Sequence, residues 1–179
     1  MRPEIAVRAL TLIVVALFVA AVPVCLAQSG TPRPEPSTRD ALTGEWSQIT
    51  DKLIAMAEDF PEAKYDFRPT EGVRTFADQL RHVAFWNMYV AKTMRGEKID
   101  PAINELSKTD YATKASIVAV LKRTAADATA QIAQQDPLPA PRAIRVFNTF
   151  TEHAGEHYGQ LVVYYRLNGI VPPESRPKK

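Results

Sequence analysis

From Leu42 to Phe60 apolar side chains recur at Leu42, Trp46, Ile49, Leu53, Met56 and Phe60, alternating steps of four and three residues. An α-helix burying one stripe is the element that matches this period, and Pro61 forbids its continuation. The same signature returns three times. Thr75 with Asp78 three positions on is a helix-start pair, ahead of Phe76, Leu80, Val83, Val90 and Met94, and Gly96 closes that helix. A third helix is expected from about Thr113 to Gln135, with Ile117, Leu121, Thr124, Ala128 and Ile132 inside. A fourth covers residues 142–167, stopped by Asn168-Gly169 and Pro172-Pro173. Between them lie a loop over residues 61–74, a connection over 99–110 with one short turn after Pro101, and a stiff crossover at Pro137, Pro139 and Pro141. Nothing reads as a strand. The expected fold is an all-α four-helix bundle with long connections, an architecture whose facing helices commonly build metal and cofactor sites.

The first residues bear on compartment. Arg2 and Arg8 precede an apolar run over residues 9–22, and small residues Cys25 and Ala27 follow at signal-peptidase positions. The run is shorter than the about 18 apolar residues of a spanning helix, and Pro23 ends it. Residues 1–27 therefore read as a signal peptide, giving a secreted or periplasmic protein with no membrane contact after cleavage. The alternatives are an uncleaved N-terminal anchor and lipid attachment at Cys25. Residues 28–40, rich in proline and polar side chains, read as a semi-extended linker. Residues 41–173 form the domain and 174–179 a charged, frayed tail.

Composition narrows the chemistry. Cys25 is the one cysteine, so a chain cut after Ala27 has neither disulfides nor thiolate ligands. A formal charge of +2 with no concentrated basic run argues against a nucleic-acid partner. No phosphate-binding glycine loop is present.

The chain has three histidines. His153 and His157 are four residues apart in the fourth helix, which puts their Cβ atoms on one face at about 5–6 Å. His82 lies in the second. The expectation is that the three share one divalent metal, zinc or nickel, leaving coordination positions open. A hydrogen-bonded interior or surface imidazole is the ordinary reading for each alone, and spacing by itself does not show that the second helix faces the fourth. Gln160 and Tyr164 follow His157 by three and seven positions, on the same helix face, and are the expected cofactor- or ligand-binding residues; a plain interior amide is the alternative for Gln160. His153-Ala-Gly-Glu156-His157 also fits an inverted zinc-peptidase pattern. Glu174 is the sole acid downstream to complete it, and helix-surface charge is the preferred role for Glu152 and Glu156. Gly159 inside a helix is expected to permit close packing. Phe85, Trp86 and Tyr89 read as core that would also wall a pocket beside His82.

The loop Tyr65-Asp66-Phe67-Arg68-Pro69-Thr70 leading into Leu80-Arg81-His82, with His153, His157, Gly159, Gln160 and the Leu167-Asn168-Gly169-Ile170-Val171-Pro172-Pro173 ending, resembles the DinB-like superfamily over about residues 40–173. That resemblance implies a four-helix bundle holding a divalent metal on one histidine of the second helix and two of the last, by position His82, His153 and His157. It also implies a frequently dimeric protein. Characterised relatives include thiol-dependent S-transferases and a mycothiol-dependent maleylpyruvate isomerase, others being named metal-dependent hydrolases. No residue here indicates a thiol cofactor or a catalytic side chain. The functional expectation is a metal-dependent transferase or hydrolase acting on a small molecule. The alternatives are a non-catalytic metal- or ligand-binding module of the cell envelope and a bundle with unmetallated histidines.

Overall fold

The computed structural model describes residues 34–134 and 140–178. The expected signal peptide, residues 28–33 of the linker, Pro137 and Pro139 fall outside those residues. Helix α1 is Thr38–Asp59, α2 Phe76–Met94, α3 Lys114–Ala133 and α4 Pro141–Leu167. Among the described residues there is no strand, and no helix is long and apolar enough to cross a membrane.

Local chemistry sets the helix ends. Ser37 caps α1, its Oγ accepting from the Asp40 N–H at 3.1 Å, so the helix begins inside the stretch expected to be linker. At α2 the expected reciprocal cap is present: Thr75 Oγ1 accepts from the Asp78 N–H, and the Asp78 carboxylate from the Thr75 N–H. Thr113 and Ser116 do the same for α3. Pro141 starts α4 where its missing N–H costs nothing, and left-handed Gly169 (φ 71°) follows its end. The turn expected after Pro101 is a 3₁₀ turn, Pro101–Ile103. At the C-terminus of α1 the carbonyls without a helical partner accept from side chains instead. Tyr65 Oη donates to the Ala57 carbonyl and Lys114 Nζ to those of Glu58 and Phe60 at 2.6 and 2.8 Å, while the Met56 carbonyl, already bonded by the Phe60 N–H, accepts a second time from Tyr165 Oη at 2.8 Å.

Both α1 and α2 pack on α3 and on α4. α1 and α2 thus occupy opposite corners, as do α3 and α4. Two of the three connections span a diagonal, which a tight turn cannot do. The core falls into two clusters. Phe60, Phe76, Tyr65, Tyr165 and Leu80 anchor the one at the C-terminal ends of α1 and α4, with Phe60 stacked on Phe76 at 3.9 Å between centroids. Trp46, Val90, Ile132 and Phe147 form the other, Trp46 edge-on to Phe147 at 5.5 Å. On α2 the first cluster ends at Ala84 and the second begins at Val90; on α4 the second reaches Phe150 and the first resumes at Ala154. His153 falls in that gap, with His82 and His157 just inside the first cluster's span. The expected frayed tail is instead clamped: Arg176 donates to both Asp59 carboxylate oxygens at 2.8 and 2.6 Å and to the Val171 carbonyl.

Candidate metal centre

Gln79, His82 and Trp86 follow one another along one face of α2, and Phe150, His153 and His157 along the facing side of α4. Their packing brings His153 Nε2 to 3.1 Å from His82 Nε2 and 3.0 Å from His157 Nε2. One ligand atom from each of the three imidazoles falls within 4.8 Å of the others. His82 and His157 are 5 % exposed and His153 is half-buried.

Hydrogen bonding on the far side of two rings decides which nitrogen faces inward. His82 Nδ1 donates to the Asn104 carbonyl at 2.6 Å. His157 Nδ1 donates to Gln79 Oε1 at 2.7 Å. The Gln79 amide is itself oriented. Its Nε2 donates to Gln160 Oε1 at 2.8 Å and reaches Tyr164 Oη at 3.5 Å. Tyr164 commits its own proton to the Arg74 carbonyl at 2.5 Å, so toward Gln79 it can only accept. Gln79 must then turn its carbonyl to His157. With their protons held at Nδ1, neutral His82 and His157 direct Nε2 lone pairs at the centre.

The rings are held neutral. Burial pushes His157 down to about 3, reinforced by the other two rings and Arg74. Burial also lowers His82 to about 4, with Arg74 and His153 adding to it against the Asn104 bond. His153 is lowered by burial too, Glu156 opposing and Arg74 assisting. With His153 Nε2 at 3.1 and 3.0 Å from those of His82 and His157, the three neutral imidazoles carry one proton at most between facing lone pairs, too few to join all three. A zinc or nickel ion at about 2.0–2.1 Å from each nitrogen would answer them together, with nitrogens about 3.4 Å apart in tetrahedral geometry. The donor set fits such an ion and leaves a position for a further ligand. One flank is aromatic: Trp86 stacks on Phe150 at 5.3 Å, and both rings lie about His153, at 5.8 and 6.0 Å.

The remaining expected residues separate. Tyr164 is buried and Gln160 exposed; both bond the Gln79 amide, and Gln160 also acts on His157 as a hydrogen-bond partner. Glu152 and Glu156 are exposed, outside the histidine cluster. Gly159 faces open space: a Cβ built there meets nothing within 4 Å, so close packing is not its role. Phe85 is core as expected, whereas Trp86 and Tyr89 are partly exposed. Gln79 and Asn104 were not among the expected site residues. Gln79 carries a signal, sitting three positions before His82 on the same face. Asn104 carries none, because its carbonyl is presented by a left-handed backbone (φ 55°) after the Pro101–Ile103 turn.

Fold and site together define a helical bundle with an inter-helix three-imidazole centre of metal-binding type. The family model of the DinB superfamily matches residues 45–161, and the chain belongs to that superfamily. A comparison with curated proteins finds no match.

Proposed function

We propose that the protein is an exported metal-dependent enzyme performing transferase or hydrolase chemistry on a small molecule. The carrying observation is the convergence of three neutral imidazole Nε2 atoms, two of them fixed by bonds at Nδ1. His82, His153 and His157 would hold a zinc or nickel ion, which when bound supplies Lewis acidity at an open position. Around it the chain's own groups have separable tasks. The Asn104 carbonyl and Gln79 keep two protons away from the centre, Trp86 and Phe150 exclude water from one side, and Tyr164 holds Gln79 in orientation. The leader read over residues 1–27 supports export, and the absence of cysteine after it leaves imidazole and carboxylate as the ligand chemistry available.

The test is elemental analysis of mature protein purified without chelators, followed by hydrolytic and thiol-transfer assays on wild type and His153→Ala. The reading expects one zinc or nickel per chain, lost with activity in the variant. Metal-free wild type would end it. Metal without any difference in turnover would leave a binding module.

A further inference from the structure

A cavity of about 870 Å³ opens between the 61–74 connection, the start of α2 and the last turns of α4, large enough to enclose a small molecule. The imidazoles do not line it; it meets the centre at Gln79 and Gln160. Its walls carry three cations, Arg68, Arg74 and Lys108, against two carboxylates, Asp78 and Glu105. Asp78 is answered twice, by Arg81 at 2.5 Å from behind the wall and by Lys108 at 3.0 Å, so two cations face one negative charge there, and the Lys108 side chain is 68 % exposed. Glu105 answers Arg74. Arg68 is exposed and enters no ion pair among the described residues. Val73 and Val163 stand on the same walls although 40 % and 51 % exposed. Gln160 gives its Oε1 to Gln79, which leaves its amide N–H groups for another acceptor.

We propose that this cavity takes an anionic small molecule with an apolar body. Arg68 and Lys108 receive the carboxylate or phosphate head, the Gln160 amide donates to it, and Val73 and Val163 cover the body. Only the step from ligand to substrate rests on the metal-dependent reading above, because the cationic and apolar walls exist without an ion.

The test is calorimetric titration of the full-length protein, metal-loaded and chelator-treated, with hexanoate, hexyl phosphate and neutral hexanamide. Both anions should bind at least about tenfold more tightly than the amide, with a gap that narrows as salt screens the charges. The tighter anion identifies the head group. Replacing Arg68 and Lys108 together by Gln should erase the gap, with an unchanged melting curve, while Val163→Asn should weaken all three ligands. Equal binding of anion and amide, no binding of any probe, or a gap that survives the double variant would overturn the proposal. Charge discrimination in a protein that takes up no metal when zinc or nickel is offered would sink the centre alone, and metal uptake without discrimination would sink this site alone.

Discussion

Gln79 shows how a residue outside the three imidazoles could decide whether His157 would bind an ion. Its carbonyl faces His157 because its amide nitrogen is claimed by Gln160 and Tyr164. Gln79→Leu keeps the volume and removes that acceptor, leaving the His157 proton free to move to Nε2. Metal affinity should fall about 10–100-fold in a competition titration against a chromophoric chelator, with helical content unchanged; unaltered affinity would mean the relay is incidental. Acid gives a second test. In the unfolded chain an imidazole takes its proton near 6.5, but in the fold His82 does so only at about 4 and His157 at about 3. Between those values the unfolded chain holds more protons, so the penalty is absent above about pH 6.5 and grows as pH falls toward 4. Denaturant midpoints of metal-free protein should drop across that window, and less so for His157→Gln. At this scale the three histidines were legible from residue type and spacing. Asn104 was not, since any residue could supply a carbonyl and only the turn aims it.

The four helices follow from the apolar period, and their starts from Thr75, Thr113 and Pro141, where side-chain chemistry is local. Two of the missed expectations belong at this scale. Ser37 extends α1 into the linker, a cap easily overlooked within a proline-rich stretch. Gly159 proved to lie on an open face, because helix periodicity assigns a side to each residue only once the neighbours are known. The glycine there simply weakens α4. Gly159→Ala should stabilise the protein by about 1 kcal/mol, seen as a raised melting temperature with unchanged metal content; destabilisation would mean that the outer face of α4 is covered in solution.

As a whole molecule the bundle relies on the junction between its two core clusters, where α2 and α4 would be joined by the ion. An ion binding only the folded state stabilises it by about 4 kcal/mol at a thousandfold excess over Kd. Zinc or nickel should therefore raise the melting temperature of chelator-treated wild type and leave His82→Ala, which loses the α2 ligand, nearly unmoved. An equal rise in both would place the binding elsewhere. What the chain determined unaided was everything short-range: helical period, caps, breaks, and two imidazoles one turn apart. Tertiary structure alone decided that α2 faces α4 rather than α1, that His82 arrives within 3.1 Å of His153, and that a charged cavity adjoins them. Those relations depend on which apolar stripes bury one another across the bundle, a choice spread over all four helices and written in no single segment.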